Sequence, residues 1–249
     1  MTRWRLIPPL TAPGAIQMAL DSWLFEQLTQ GTHPPTLRFY TWQPIALSLG
    51  YHQQHYPDHW HALTWQGNPV DLVRRPTGGR AVLHQGDLTY AVINAGVSAN
   101  RQQAYRDTCE FLIQGGRSLG IDLTYGMAGR GYIHNPNCFG TATGADLVLP
   151  NGRKLVGSAQ LRRGDALLQH GSLQLHPDPT LFAQIFGSAP PFDPTFSLEP
   201  AFLQQVMDAL ISAAQTCFHA EFDLQPLTDA EWIAIRDRSS RSTNTIDAL

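Results

Sequence analysis

The sequence has very little lysine: among its 249 residues Lys154 is the only one, against sixteen arginines. Chance alone can leave a single lysine on a protein surface. Arginine, however, stays charged in proteins, whereas a desolvated lysine can lose its proton and serve as a base or a compact donor. Lys154, within "NGRKLVGSAQ" (151–160), is therefore a candidate functional residue, with chance survival as the alternative.

Cysteine is scarce as well. The three cysteines, Cys109, Cys138 and Cys217, are odd in number and widely spaced. This pattern excludes a disulfide framework and lacks the paired spacing of zinc sites. It favours reduced thiols in a cytosolic compartment and predicts no metal site.

Long apolar runs and a strong net charge are also missing. No run approaches the roughly 20 apolar residues that span a bilayer, and the opening "MTRWRLIPPL" lacks the apolar core and cleavage site of a secretory signal. The formal net charge of −3 gives no reason to expect nonspecific binding to nucleic acid. We therefore expect a cytoplasmic protein that binds neither a membrane nor a nucleic acid.

The sequence does contain a succession of short strand-like and helical patterns. Short apolar or alternating segments predict strands at 3–7, 36–42, 45–51, 69–75, 81–84 and 88–93, and a meander over 145–175. Helical spacing of apolar residues predicts helices at 12–28, 100–119 and 201–217. Strands in the middle, with helices before, between and after them, favour an α+β domain with a mixed or antiparallel sheet.

We interpret residues 1–249 as a single domain. Its core is expected over about 3–185 and its C-terminal helices over about 199–236. The last helix is a short one that opens at 228–232, where "TDAEW" has the spacing of a capping box. The polar tail, 237–249, is expected to be loose.

A glycine pair interrupts two predicted strands within "RRPTGGRAVLHQGDLTY" (74–90). Adjacent glycines let the backbone approach a ligand closely and leave amide donors unobstructed. The charged or titratable residues around this pair are Arg74, Arg75, Arg80 and His84. An ordinary surface turn with solubilising arginines is the alternative, because the spacing is not that of a phosphate-binding P-loop.

A second candidate is Cys138, which lies in the polar loop "GYIHNPNCFGTATGADL" (131–147). A nucleophilic cysteine is partly exposed and near positive charge, whereas a buried cysteine is usually inert. Cys109 and Cys217 lie on apolar helical stripes, which predicts core packing for both. For Cys138 the alternative is a cysteine that the loop simply tolerates.

Lys154 follows an Asn-Gly pair at 151–152, a strong signal for a two-residue hairpin turn. Small residues, Gly157 and Ser158, then interrupt the strand, which suits close approach of a ligand or another backbone. Lys154 is sixteen residues beyond Cys138. A loop of that size can bring a thiol and an amine together.

Three ordered motifs, "RRPTGGRAVLH...LTYAV", "NPNCF" and "GRKLVGSAQ...LLQHGSL", resemble those of the lipoate–protein ligase A and octanoyltransferase superfamily. The segments "MALDSWLFEQ" and "TLRFYTWQPIALSLGY" are similar to its N-terminal region, so the resemblance covers about residues 3–185. It implies the biotin/lipoyl attachment (BPL/LPL) catalytic fold, an α/β domain with mixed, largely antiparallel sheets flanked by helices.

The superfamily has two chemical branches. Its lipoate ligases activate a free acid with ATP, and many carry a C-terminal accessory domain. Its octanoyltransferases take an acyl chain from acyl carrier protein, and one subgroup uses a cysteine nucleophile. Here only about sixty residues follow the region of resemblance, Arg80 stands where ligases usually have a third glycine, and Cys138 matches the subgroup's nucleophile. The resemblance therefore favours the octanoyltransferase branch.

The resemblance implies a mechanism. Cys138 accepts the octanoyl group as a thioester, Lys154 matches the family's lysine, and a lysine of a lipoyl domain or glycine cleavage H protein receives the acyl group. No cofactor is required, whereas ATP and Mg would be needed by a ligase. Alternatives are an ATP-dependent lipoate ligase acting through an acyl-adenylate, a lipoyl amidotransferase, or a lipoyl-binding protein without catalysis.

Binding residues follow from the same motifs. Backbone amides of the glycine pair, or of Gly157, are candidates to stabilise an oxyanion. The residues implied for acyl or substrate binding are Arg74, Arg75, Gly78, Gly79, Arg80, Val82, His84, Gly157 and Ser158. Leu83 and Tyr90 are further candidates to line the acyl chain, with core packing as the alternative. Gln85 and Ala91 depart from the family's usual aspartate and serine.

Overall fold

A computed structural model describes residues 1–126, 146–188, 190 and 196–246 of the chain. The strands are β1 (Thr2–Ala12), β2 (Thr36–Trp42), β3 (Ala46–Leu49), β4 (Thr64–Trp65), β5 (Asn68–Pro69), β6 (Asp71–Arg74), β7 (Val82–His84), β8 (Asp87–Asn94), β9 (Thr124–Tyr125), β10 (Leu147–Val148), β11 (Lys154–Arg163), β12 (Ala166–Gln174) and β13 (Ala220–Leu224). The helices are α1 (Gly14–Thr29), α2 (Arg101–Ser118), α3 (Pro179–Phe186), α4 (Pro200–Cys217) and α5 (Asp229–Ile246), with a short 3-10 helix at Asp58–Ala62.

The strands form one large sheet and two small ones. The large sheet has the order β13-β1-β2-β8-β12-β11-β10-β9. In it β1 runs parallel to both of its neighbours, and the other adjacent pairs are antiparallel. A three-stranded sheet has the order β6-β3-β7, and β4 pairs with β5. The predicted α+β class, with mixed, largely antiparallel sheets flanked by helices, is confirmed.

Both faces of the large sheet are covered, which explains its apolar central strands. Helices α2 and α4 pack on one face, around Phe111 and Leu210. Helix α1 packs on the other, around Leu20 and Leu24. Every residue of β12 is buried in consequence, as expected for a strand enclosed on both sides. The small sheet β6-β3-β7 builds a third core with α3.

Most predicted elements are present. Strand β2 has the predicted bounds, and α1 and α2 lie within two residues of theirs. Helix α3 was not predicted from the sequence, although its boundary signals are local. Asp178 Oδ1 accepts hydrogen bonds from the amides of Thr180 and Leu181, both at 2.9 Å, and Gly187 ends the helix in the left-handed conformation. An Asp-Pro start and a Gly end are ordinary helix boundaries.

The expectation of a loose tail from residue 237 is wrong up to residue 246, because α5 continues to Ile246. The predicted capping box is confirmed: the Thr228 amide donates to Glu231 Oε2 at 2.7 Å, and the Glu231 amide donates to Thr228 Oγ1 at 3.3 Å. Tertiary contacts then hold the polar helix on α1, through the fully buried Ile235 and an ion pair between Arg238 and Glu26. None of the helices that the structure describes is both long and apolar enough to cross a membrane.

Candidate active site

A cleft opens between the large sheet and the small sheet β6-β3-β7. It holds about 430 Å³ of empty space, a figure that includes the solvent at its open mouth. Its walls combine the apolar Met18, Tyr40, Trp42 and Val82 with the polar Ser48, Arg75, His84, Thr89, His170 and Ser172. Gly79, Gly171 and the segment 157–159 complete the lining.

The predicted glycine turn, residues 76–80, lies at this cleft. Gly79 has a φ of +97°, a conformation that side chains with a Cβ rarely adopt. A Cβ atom on Gly50 would collide with the Gly79 carbonyl. The turn and the end of β3 therefore approach as closely as two backbones can, and glycine is required on both sides of the contact.

Arg75 holds the turn from beneath. Its Nη2 donates to the carbonyls of Gly78 and Arg80 at 2.8 and 2.7 Å, and its Nε donates to Gly78 at 3.2 Å. Its Nη1 donates to Ser48, both to the carbonyl at 2.9 Å and to Oγ at 3.2 Å. The guanidinium thus bonds mainly to backbone carbonyls of the protein itself, so its visible role is to shape the turn.

Arg74, Gly78 and Arg80 are not among the described residues that line the cleft. Arg74 Nη1 donates to the carbonyls of Gly50 and Gln53, both at 2.8 Å. Gly78 and Arg80 contribute the carbonyls that Arg75 binds. Direct substrate contact by these three residues stays a prediction.

His84 lies in the cleft wall with both ring nitrogens engaged. Nδ1 lies 2.8 Å from Asp87 Oδ2 and Nε2 lies 2.9 Å from Ser48 Oγ. Since a carboxylate only accepts, Nδ1 carries the proton and Nε2 accepts from the Ser48 hydroxyl. Burial lowers the pKa of His84, although Asp87 opposes that shift. The neutral ring stacks on Trp42, with centroids 3.9 Å apart and planes at 19°.

His170 repeats this arrangement on the large sheet. Its Nδ1 lies 2.7 Å from Asp21 Oδ2, and its Nε2 lies 2.5 Å from Thr77 Oγ1. Asp21 also accepts from Arg38 Nε at 2.8 Å. Burial by itself raises the pKa of Asp21, but Arg38 and His170 outweigh burial and hold the pKa below its usual value. The carboxylate is therefore charged and able to orient the imidazole.

Lys154 begins β11, the strand whose Gly157 and Ser158 reach the cleft. It is buried, and its Nζ lies 2.9 Å from Asp146 Oδ1. Ser158 Oγ lies 2.8 Å from the hydroxyl of Tyr90, which packs in the core beneath α2. Lys154 is thus a buried cation on the strand that forms one cleft wall, and it is not an exposed surface lysine.

The chain matches the family model described as the lipoyl protein ligase A/B catalytic domain over residues 13–211. It belongs to the lipoyl protein ligase A/B family. The octanoyltransferase LipM of Kyrpidia tusciae is 39% identical to it over 195 residues, which cover 74% of this chain and 70% of that protein.

Solved structures agree with this assignment in fold. Lipoate-protein ligase A bound with ATP superposes with a TM-score of 0.75 at 23% identity, covering 97% of this chain and 95% of the other. A bi-partite lipoate protein ligase from Thermoplasma acidophilum, studied with its E2 lipoyl domain, gives a TM-score of 0.72 at 21% identity, covering 97% and 93%. The BPL/LPL fold expected from the sequence is thereby confirmed for this family member.

Not every predicted site residue of this lipoyl protein ligase A/B family member can be placed. Cys138 lies outside the described residues, so its proximity to Lys154 stays a prediction. Leu83 packs in the core of the small sheet and Tyr90 in the core beneath α2. Both are core residues, and neither lines the cleft where the structure describes it.

The two described thiols are unsuited to nucleophilic attack in this family member. Cys109 is fully buried, as predicted. Burial raises its pKa to about 12, and its sulfur accepts from Gln169 Nε2 at 3.2 Å. Cys217 is half-buried against the same core, and burial raises its pKa to about 11. Since the thiolate is the attacking species, Cys138 is the candidate that remains.

Sequence reasoning missed several polar residues of the cleft region. Asp21, Ser48, Thr77 and His170 join the site through buried hydrogen bonds. His170 lies in the segment "LLQHGSL" that carried the family resemblance, which is the only signal that pointed to it. Asp21 lies among the apolar residues of α1, and it is buried. A carboxylate at such a position indicates a specific charged or hydrogen-bonding partner.

Proposed function

We propose that the protein is an octanoyltransferase that moves an octanoyl group from acyl carrier protein to a lysine of a lipoyl domain. The similarity to LipM octanoyltransferases, which spans about three quarters of the chain, is the observation that carries this proposal. The glycine turn, the buried Lys154 and the motif around Cys138 all fall within the matched family region. The reaction is thus the acyl-transfer step of protein lipoylation.

The reaction has two steps. The Cys138 thiolate attacks the carbonyl carbon of the octanoyl thioester, and the carrier's thiol leaves with a proton. The amine of the target lysine then attacks the acyl-cysteine, forms the amide and returns the Cys138 thiol. A thioester is more reactive than the amide product, so no ATP or other cofactor is required. Lys154 is proposed to stabilise the thiolate when charged or to accept a proton when neutral.

The cleft between the sheets is the proposed site of the octanoyl chain. Its apolar walls are formed by Met18, Tyr40, Trp42 and Val82. Burial of an aliphatic chain contributes roughly 0.8 kcal/mol per methylene, so seven carbons supply several kcal/mol of binding free energy. The polar side chains of the wall, such as Ser48, His84 and His170, are already engaged in hydrogen bonds within the protein, so an acyl chain can pack beside them without breaking these bonds.

The partners and the cellular location follow from the proposed reaction. The donor is acyl carrier protein, and the acceptor is a lipoyl domain or glycine cleavage H protein, in the cytoplasm. The Thermoplasma acidophilum ligase studied with its E2 lipoyl domain supports a lipoyl domain as the acceptor.

Intact-protein mass spectrometry after incubation with octanoyl acyl carrier protein tests this function. We expect an adduct of one octanoyl group that hydroxylamine removes and that Cys138→Ser lacks. Cys217→Ser is the matched control, because it removes a half-buried thiol and should leave the adduct intact. An unmodified wild-type protein, under conditions that acylate a known transferase, would refute the proposal.

An ATP-dependent lipoate ligase is a second candidate, because the fold neighbours described above are lipoate ligases. Lys154 would then contact an acyl-adenylate. This reaction predicts consumption of ATP with free octanoate or lipoate, and full activity in Cys138→Ala. If free octanoate and free lipoate both fail to react with ATP, the ligase is ruled out and the transferase remains as the proposed function.

A further inference from the structure

Two buried hydrogen-bonded chains converge on the glycine turn, one from each side of the cleft. In the first, Asp87 at the start of β8 binds His84 of the small sheet, which binds Ser48, which in turn binds Arg75. In the second, Asp21 of α1 binds His170 of the large sheet, and His170 binds Thr77 within the turn. Apart from Arg75, every distance in these chains is 2.9 Å or shorter.

The directions of the hydrogen bonds around Ser48 follow from the neutral state of His84. Asp87 accepts from Nδ1–H, so Nε2 accepts from the Ser48 hydroxyl. The oxygen of Ser48 is then free to accept from Arg75 Nη1. In the second hydrogen-bonded series, Thr77 Oγ1 lies 2.5 Å from His170 Nε2. Each hydroxyl is thus held by a ring that a carboxylate orients from behind.

The consequence for the turn lies in the peptide between Gly78 and Gly79. Arg75 binds the Gly78 carbonyl from two nitrogens. In a trans peptide the carbonyl and the following N–H point in opposite directions, so the Gly79 N–H is directed away from Arg75. In the part of the chain that the structure describes, this N–H donates to no acceptor, and Gly79 lines the cleft.

We infer, on the basis of the proposed function, that Ser48, Thr77 and Arg75 are positioning residues that aim the Gly79 amide at the acyl carbonyl of the substrate. The histidines and aspartates behind them hold these residues in place. A backbone donor fixed in advance stabilises the developing oxyanion without the cost of reorganisation. The turn is thus an acyl-carbonyl site whose shape is set from both walls of the cleft.

Ser48, His84 and Asp87 also have the contacts of a serine nucleophile, its base and the carboxylate that orients the base. Ser48 is 1% exposed, however, and its oxygen accepts from Arg75. A nucleophile needs access to the substrate and an oxygen that is free to attack. The arrangement therefore fits a buried support for the turn.

Thr77→Val tests the inference, because it removes the hydroxyl and keeps the side-chain shape. We expect exchange of the Tyr51 amide, which donates to the Thr77 carbonyl at 2.8 Å, to accelerate about tenfold, the equivalent of one buried hydrogen bond. The rate of acyl-cysteine formation should fall about tenfold with the melting temperature little changed. Thr77→Ser should restore both. If Thr77→Val folds poorly, Ser48→Ala is the alternative variant. Ser48 belongs to the hydrogen-bonded chain through His84, and its loss should have the same effect.

Thr108→Val is the matched control. Thr108 is also buried and donates one side-chain hydrogen bond, to the Ala104 carbonyl at 2.7 Å, but it lies within α2. The inference is overturned if Thr77→Val and Thr108→Val give the same exchange rate for the Tyr51 amide, or if exchange rises without loss of acylation rate. Labelling of Ser48 by a fluorophosphonate would overturn it too. Amide exchange needs no substrate, so an inactive wild type would refute the transferase without obscuring this result.

Discussion

Arg5 and Lys154 are both buried, and each faces a carboxylate, but they bind it differently. Arg5 contacts both oxygens of Glu231, at 2.6 and 2.9 Å, and its other N–H groups reach the carbonyls of Gln225 and Pro226. Lys154 places an ammonium 2.9 Å from one oxygen of Asp146. A planar guanidinium fixes its partner in two directions, whereas an ammonium is a compact charge with rotatable donors.

The location of each pair matches its chemistry. Arg5 ties β1 to the start of α5, and the residues of this pair are absent from the cleft lining that the structure describes. Lys154 begins the strand that supplies Gly157 and Ser158 to the cleft wall. The chain thus uses arginine where a contact must be permanent. Its one lysine lies where the side chain is proposed to exchange a proton or change its hydrogen-bond partner during the reaction.

Exchange of Lys154, the proposed catalytic lysine, should have the largest effect. Lys154→Arg retains the positive charge beside Asp146 but removes the ability to give up a proton and the compact shape. We expect the rate of acyl-cysteine formation to fall by about 100-fold or more, as is typical when a general acid or base is lost. Mass spectrometry of the adduct over time measures the rate.

Circular dichroism should show that the Lys154→Arg variant is folded. The exposed Arg3→Lys, which makes the opposite exchange in residue type, is the control and should keep the wild-type rate. A Lys154→Arg enzyme with more than a tenth of the wild-type rate would mean that charge alone suffices, and the contrast between the two pairs would be lost.

Replacing arginine by lysine in the Arg5–Glu231 pair should lower the stability of the protein and leave its activity unchanged. Arg5→Lys keeps one charge contact with Glu231 and loses the second, together with hydrogen bonds to the chain before α5. We expect a loss of about 2 kcal/mol in the free energy of unfolding, measured by urea denaturation, since strong bidentate contacts are broken at a buried site.

Arg3→Lys again serves as control, because Arg3 pairs with Asp223 at 3.3 Å while 74% of its side chain is exposed. Exposed pairs contribute about 0–1 kcal/mol, so this variant should resemble the wild type in urea. Equal losses in the two variants would show that the Arg5 pair is no more structural than a surface contact.

Acidification should give the smallest effect. Burial raises the pKa of Glu231, but hydrogen bonds from Arg5, the Thr228 amide and His33 outweigh it and lower the pKa to about 2 from the usual 4.5. In the unfolded chain Glu231 therefore binds a proton near pH 4.5, whereas in the folded protein it stays ionised until the pH approaches 2. The stabilisation by Glu231 is complete above pH 4.5 and is lost as the pH falls towards 2.

Glu231→Gln should remove this part of the acid sensitivity. Between pH 5.5 and 3, the wild type is expected to lose on the order of 1 kcal/mol more unfolding free energy than the variant, allowing for solvent screening. Urea midpoints at both pH values provide the measurement. Parallel pH dependence in the two proteins would contradict the role given to Glu231.

Local pattern was sufficient for much of the fold. The apolar spacing of α1 and α2 and the aromatic and aliphatic residues of β2 predict those elements, because the signals lie in neighbouring residues. Strand β2 is nevertheless buried on both faces, which its alternation did not indicate. The end of α5 was not predictable in this way. Its sequence is polar, and its contacts with Glu26 and the core of α1 come from more than two hundred residues away in the chain.

The candidate site also contains both predictable and unpredictable residues. Gly79, Val82, His84 and Gly157 were named from their motifs and do line the cleft. The chain through Thr77, His170 and Asp21 was not, because its members are separated by 93 and 149 positions and no local spacing links them. Sequence also cannot tell whether an arginine beside a glycine turn faces a ligand or, as Arg75 does, the turn's own carbonyls.

The position of β1 has a consequence for biosynthesis. One edge of β1 pairs with β2, but the other pairs with β13, where Thr2 lies opposite Ala220. During translation the first strand therefore exposes an unsatisfied edge until nearly the whole polypeptide has left the ribosome. Such edges invite pairing with other chains. The pairing of β1 with β13 therefore closes, at the end of synthesis, an edge that would otherwise be open to other polypeptides.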